Sequence, residues 1–508
     1  MNVMRYIVLT VAVLLGAAFA EAKDLSLPCI FSDHMVLQAE AAVPVWGWAP
    51  SGSRVQVSIA GQSADAVVDS NGRWEVALAP VKKGGPYVMR VSDGLENLTV
   101  KDVLFGEVWL ASGQSNMGVN VGKSNGAEAG LQLADQLPVR FFTMPISLNL
   151  ELQDDLAGGR WIVCTSENSA SLSAVGYYFA CEVSRTLNSP VAVIQSAWGG
   201  SRIQNWMPFD AVNSNPDLRH YATEFEQKCK GLSEEQKTPE GLMELGNMYL
   251  QYNNAWVKYQ KTKTGPEPVP PTTPRPRRAV ALNYNAMIYP LAPYAIKGAL
   301  WYQGEANTNG EDASLYAEML STMIRSWRSL WNRDFPFIFA QLPEYEAKGR
   351  EENWVCLRDQ QRRVLGQSNG TAMVVTLGHG NMKDIHPLDK RPVGEMMAGA
   401  ALSKVYQRET PWCGPLIQSV VQEGSQLVLS FETFGRNLKG TSSELEGFEI
   451  STDGKTFQPA PAVIKNNQVV IPASESVLAV RYGWDVNPKL ALTDELGFPA
   501  SPFLEKVQ

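Results

Sequence analysis

The sequence predicts an α/β protein: a three-layer α/β/α domain on a mainly parallel sheet, flanked at both ends by β-sandwich-like modules. Three observations predict it. Short apolar runs alternate with helical stretches over 104–410. Strand-like alternation without helical periodicity fills 23–103 and returns over 411–508. At 508 residues the chain is also too long for one ordinary domain.

Residues 1–22 read as a cleavable export signal. Arg5 supplies the positive charge, 7–20 the apolar stretch, and Ala18-Phe-Ala20 and Ala20-Glu-Ala22 offer small-x-small cleavage sites. No Cys stands at either site, so a lipid anchor is not expected. No later window approaches the roughly 20 apolar residues of a membrane span. The expected location is periplasmic or extracellular, without stable membrane insertion.

In 23–103, Val55, Val57 and Ile59 alternate with polar residues, as do Trp74, Val76 and Leu78, then Tyr87, Met89 and Val91. Asn71-Gly72 marks a hairpin between two such runs. From 104 to 410 the apolar strands 108–111, 139–143, 191–195, 299–302, 335–341 and 372–377 are separated by helical stretches. One of these carries Leu315, Met319, Met323 and Trp327 at i+4 spacing, the stripe of an amphipathic helix. Residues 209–279 interrupt the rhythm: polar, helix-prone, and ending in a Pro-rich spacer, they read as a surface insertion, with the active-site rim one place for it. After 411, Leu427, Leu429 and Phe431 alternate and Asp453-Gly454 marks a turn.

The formal charge of −8 argues against a nucleic-acid partner or an anionic membrane surface, since both need dense basic patches. Arg275, Arg277 and Arg278 form the one compact basic cluster and read as a solvated loop. The six cysteines have no C-x-x-C pair, and nothing in the sequence chooses among their disulfide pairings. The four histidines lack metal-ligand spacing, so no catalytic zinc and no cofactor is expected.

In open parallel sheets ligands sit beyond the carboxyl ends of the strands. Gly106-Glu-Val-Trp-Leu-Ala-Ser-Gly-Gln-Ser-Asn-Met117 delivers Ser115 to such an end, at a strand-to-helix turn that suits an acyl-transfer nucleophile. Serine is also a favoured N-cap, so the segment alone leaves both readings open. A nucleophile needs a base. Lys383-Asp-Ile-His-Pro387 offers His386 with Asp384 two residues earlier, although a turn histidine before Pro387 reads the same way. Donors for an oxyanion stand at two further strand ends: Ala197-Trp-Gly-Gly-Ser201, and Trp301-Tyr-Gln-Gly-Glu-Ala-Asn307 with the Gln303 amide. One cleft would collect all four.

Gly113-Gln-Ser-Asn-Met117, Trp198-Gly-Gly-Ser201, Trp301-Tyr-Gln-Gly-Glu305 and Asp384-Ile-His-Pro387 resemble the blocks of the sialate O-acetylesterase family of SGNH (GDSL-like) hydrolases. Phe31-Ser-Asp-His-Met-Val-Leu-Gln38, Tyr284-Asn-Ala-Met-Ile288 and the tail from Tyr482-Gly-Trp484 to Pro499-Ala-Ser-Pro502 extend the resemblance over nearly all of the chain after the signal. It implies an SGNH-type catalytic domain over 104–410. It also implies Ser115 as nucleophile and, through its N–H, oxyanion donor. Gly200 matches the second donor, with Gly199 as neighbouring candidate, and Gln303 the third. Asn is the commoner residue at that third place. His386 matches the base and Asp384 its acidic partner. The Asp-x-His spacing departs from the usual Asp-x-x-His, which leaves a backbone carbonyl as the alternative partner.

Arg202 and Trp206 follow the second block. Arg202 suits a carboxylated sugar by bidentate pairing, or a structural ion pair. Glu305 reads either as a substrate contact or as support for its loop. The expected reaction is serine-dependent removal of O-acetyl groups from a carbohydrate, sialic acid first, through an acetyl-enzyme. The alternatives are an acetylesterase of plant polysaccharides such as acetylated xylan, and a non-catalytic carbohydrate-binding protein.

Overall fold

Strands β1 (Val36–Gln38), β2 (Val43–Trp48), β3 (Arg54–Ile59), β4 (Gln62–Val67), β5 (Arg73–Leu78) and β6 (Gly84–Ser92) build the N-terminal module. Alternation does what the pleat requires: Val55, Val57 and Ile59 turn inward while Arg54 and Gln56 face solvent. The structure, a computed structural model, describes residues 24–507, so the export signal expected over 1–22 lies outside the described residues.

β7 (Asn97–Gly113) is 17 residues long and serves two sheets. Its first half pairs antiparallel with β6 and, from Leu104 to Gly106, parallel with β1. From Glu107 onward the same strand is the middle of the central sheet. The change of module expected at 104 therefore falls inside one continuous strand.

The central sheet adds β8 (Val139–Thr143), β9 (Arg160–Val163), β10 (Val191–Ala197), β11 (Gly298–Tyr302), β12 (Phe337–Ala340) and β13 (Thr371–Val374), in the order β13-β12-β11-β7-β10-β8-β9. All neighbours are parallel except β9, an antiparallel edge strand that the sequence reading does not include. Every residue of β11 and β12 is buried, the pattern of strands covered on both faces. The chain runs from β7 out to β8 and the edge strand β9, returns to β10 beside β7, then crosses to β11 on the other side of β7 and proceeds outward to β13. The carboxyl ends of β7, β10 and β11 thus border the switch point where such sheets hold ligands.

The helices that flank the central sheet or rise beside its carboxyl end include α1 (Ser115–Gly118), α2 (Ala174–Leu187), α3 (Pro239–Thr262), α4 (Tyr316–Leu330), α5 (Glu351–Gln367) and α6 (Arg391–Lys404). In α4 the predicted stripe is the core face, with Met319, Met323 and Trp327 fully buried. α2 packs on α6 and α4 on α5. No helix among the described residues is long and apolar enough to cross a membrane. Residues 411–507 form two four-stranded sheets and a two-stranded one around a core of their own, with Leu427, Leu429, Phe448, Val469 and Phe503 at its centre.

Candidate active site

Three strand ends meet at Gly113. The N–H of Gln114 donates to Tyr302 O at the end of β11, and the N–H of Trp198 donates to Gly113 O beyond β10, both at 3.1 Å. This closeness needs glycine. A Cβ on Gly113 would stand 2.3 Å from Tyr302 O, and φ is +136°, a region that side chains disfavour. The tight turn then places Ser115 as the first residue of α1. The N-cap is Gln114, without a side-chain capping bond, so the capping reading of Ser115 does not hold.

Ser115 Oγ lies 2.8 Å from His386 Nε2. The histidine comes from the loop after β13, 271 residues away in sequence. The other ring nitrogen is less well served. His386 Nδ1 stands 3.9 Å from the Asp384 carboxylate, which instead accepts the main-chain N–H of His386 at 2.8 Å. Asp384 is exposed. Burial pulls the His386 pKa below its ordinary value; Asp384 opposes this and Lys390 adds to it. A histidine poised below 6.5 is neutral, hence able to accept a proton, near neutral pH.

A cavity of about 460 Å³ opens over this pair. Gly199 and Gly200 form its wall beside the serine, where a Cβ added to Gly199 would come within 3.5 Å of Ser115 Cβ. Gly200 has φ +73°, a conformation that glycine adopts without strain.

The structure does not place Gln303 in the cavity wall. It is fully buried, and its amide nitrogen donates to Asn307 Oδ1 at 2.7 Å, Gln114 Oε1 at 3.1 Å and Ser201 O at 3.2 Å. Tyr316 donates to its oxygen. An amide with both ends committed to the scaffold has no free donor for an oxyanion; it acts one layer behind, on Gln114. Trp206 is likewise core rather than cleft: fully buried, it donates through Nε1 to Ser201 Oγ at 2.9 Å. Arg202 reaches the cavity but pairs with Asp312 at 2.8 Å. Glu305 lines the cavity too, yet it is 2% exposed and its Oε1 accepts from Asn116 Nδ2. Burial raises the Glu305 pKa.

The opposite wall is the insertion, which folds as helices ending in α3 and the Pro-rich return. Gly246, Tyr249, Leu250 and Asn253 of α3 face the cavity. So do Arg275, Arg277 and Arg278: Arg278 is exposed and the other two half-buried, so the loop is in part solvated as read, but it also lines the cavity. Arg277 donates to Gly199 O at 3.0 Å and to Gly246 O at 2.9 Å, and stacks 4.6 Å from the Trp198 ring. Arg350 joins from the other side and donates to Thr308 Oγ1. Among the described residues, Arg275, Arg278 and Arg350 form no ion pair with a carboxylate. Partial desolvation lowers the Arg278 pKa to about 10, helped by the charges of Arg202 and Arg275. The groups that sequence reading misses here are Asn116, Lys390, Asp312 and Arg350. Asn116 stands in plain view inside the serine motif; the others carry no local signal.

Residues 278–403 match the family model described as carbohydrate esterase, sialic acid-specific acetylesterase. The chain is 28% identical to sialate O-acetylesterase of Mus musculus, over 94% of this chain and 93% of that protein. Against the Homo sapiens protein of the same name, identity is 28% over 90% and 87%. A solved carbohydrate acetylesterase from Xanthomonas citri is 31% identical, superposes with a TM-score of 0.78, and is covered over 99% of its length by 94% of this chain. A likeness that spans both β modules and the catalytic sheet from end to end means that the chain belongs to the sialate O-acetylesterase family of carbohydrate esterases.

Proposed function

We propose that this protein is a serine-dependent carbohydrate O-acetylesterase, with O-acetylated sialic acid as its substrate. The observation that carries the reading is the 2.8 Å contact between Ser115 Oγ and His386 Nε2 on the floor of a cavity ringed by arginines. In this reading Ser115 Oγ attacks the acetyl carbonyl while His386 takes its proton. The N–H groups of Ser115 and Gly200 meet the oxyanion, each such donor typically lowering the barrier by about 3 kcal/mol. His386 then protonates the departing sugar oxygen. A water molecule, deprotonated by the same imidazole, releases acetate from the acetyl-enzyme.

The substrate assignment rests on charge. Arg202 is neutralised by Asp312 and Arg277 is occupied with carbonyls, whereas Arg278, Arg275 and Arg350 are left to meet an anion. A sialic carboxylate supplies one; a neutral acetylated xylan does not. Kinetics on 9-O-acetylated sialic acid and on acetylated xylo-oligosaccharides, each with Arg278→Ala alongside, test this. The expected result is higher kcat/KM on the sialic ester and a loss confined to that ester in the variant. Preference for the neutral sugar would overturn the sialate reading and leave the esterase intact.

Export also belongs to this proposal, supported by Arg5, the apolar run 7–20 and the two cleavage sites. The new N-terminus of the secreted or periplasmic protein, read by mass spectrometry, should begin near residue 21 or 23.

A further inference from the structure

With Asp384 turned toward the main chain, some other group must hold the base against the nucleophile. Asn116 follows Ser115 and is fully buried. Its Oδ1 accepts from Lys390 Nζ at 2.6 Å. Its Nδ2 donates to Ile385 O at 2.9 Å and to the Glu305 carboxylate. Lys390 is itself fully buried at the N-terminal boundary of α6 and lies 5.1 Å from the Tyr302 ring centroid.

The chemistry of these three groups fixes the amide in one orientation. An ammonium only donates and a carboxylate accepts, so the lysine selects the amide oxygen and the glutamate its nitrogen. The remaining N–H then points at the carbonyl of Ile385, the residue before His386. Burying an ammonium and a carboxylate is costly, and apolar side chains of similar volume often stabilise a fold as well or better. Packing alone does not account for the arrangement.

We infer that Asn116, set by Lys390 and Glu305, is a positioning residue that holds the His386 loop in register with Ser115. The inference rests on the reading of Ser115 and His386 as nucleophile and base. One side chain next to the nucleophile grips the peptide next to the base, so the relation between the two is built in the buried layer and not at the exposed Asp384.

The test is steady-state hydrolysis of 4-nitrophenyl acetate, which makes no sugar contacts, with kcat normalised to the native near-ultraviolet circular dichroism signal. Asn116→Ala and the near-isosteric Asn116→Asp should each lose about 100-fold or more in kcat with KM within about twofold. Lys390→Met should fall similarly, and the Asn116→Ala/Lys390→Met double variant no further, because both act through one contact. Glu305→Gln keeps an acceptor for Nδ2 and should retain kcat within about tenfold, where Glu305→Ala does not. A normalised kcat within about threefold of the parent in either Asn116 variant overturns the inference, as does a loss carried by KM alone. Ser115→Ala is measured beside them. Inactivity there with unimpaired Asn116 variants refutes only the positioning role, whereas full activity there refutes the nucleophile.

Discussion

The Asp384 carboxylate accepts the main-chain N–H of His386 at 2.8 Å but stops 3.9 Å from its imidazole Nδ1. In this geometry Asp384 shapes the loop more than it orients the ring. Replacing the buried aspartate of a tight Ser-His-Asp triad costs about 10⁴ in kcat. Asp384→Asn here should cost far less, about 10- to 100-fold, in hydrolysis of 4-nitrophenyl acetate.

The pH profile should show the same relation. His386 acts as a base only when neutral, and burial holds its pKa below the ordinary 6.5. The acidic limb of kcat/KM should therefore have a midpoint below 6.5, with activity rising as pH rises through it. Asp384 works against that depression, so Asp384→Asn should move the limb to still lower pH.

Ser115 and His386 act as one unit, so their losses should not add. Ser115→Ala and His386→Ala should each cost several orders of magnitude in kcat, and the double variant should be no slower than the worse single. Additive losses, measured against the uncatalysed rate, would mean that the two groups do not share one step.

Asp312 is buried, and it holds Arg202 while accepting hydrogen bonds from Tyr221 and Asn307. Asp312→Ala strands a largely buried guanidinium, a loss of about 3–5 kcal/mol. Urea denaturation should place its midpoint well below that of the parent.

Much of this molecule is legible in its sequence, for a physical reason. Strands of a doubly covered parallel sheet must be apolar along their whole length, and that pattern stands out at 108–111, 191–195 and 299–302. Ser115 is legible because it stands where a strand ends, and His386 because it lies in the loop that follows the last strand of the sheet. Gln303 is not, since a polar residue at a strand end reads the same whether it faces a cavity or braces the floor beneath it. Trp206 and Arg202 fail similarly: their partners, Ser201 Oγ and Asp312, are set by tertiary packing. Lys390 runs against expectation, because lysines are almost never fully buried unless paired. β9 escapes notice because, as a partly exposed edge strand of four residues, it lacks the continuous apolar run that marks β12 and β13.

The continuity of β7 bears on how the enzyme can be dissected. Cutting at residue 104 would not release a free-standing catalytic domain. It would remove residues 97–103 of β7 together with β1 and β6, and leave Leu104–Gly106 projecting from the central sheet without pairing partners, free to pair between molecules. The strand that delivers Ser115 is anchored some 10–15 residues upstream in another sheet, so that module is better regarded as the root of the nucleophile than as an appendage.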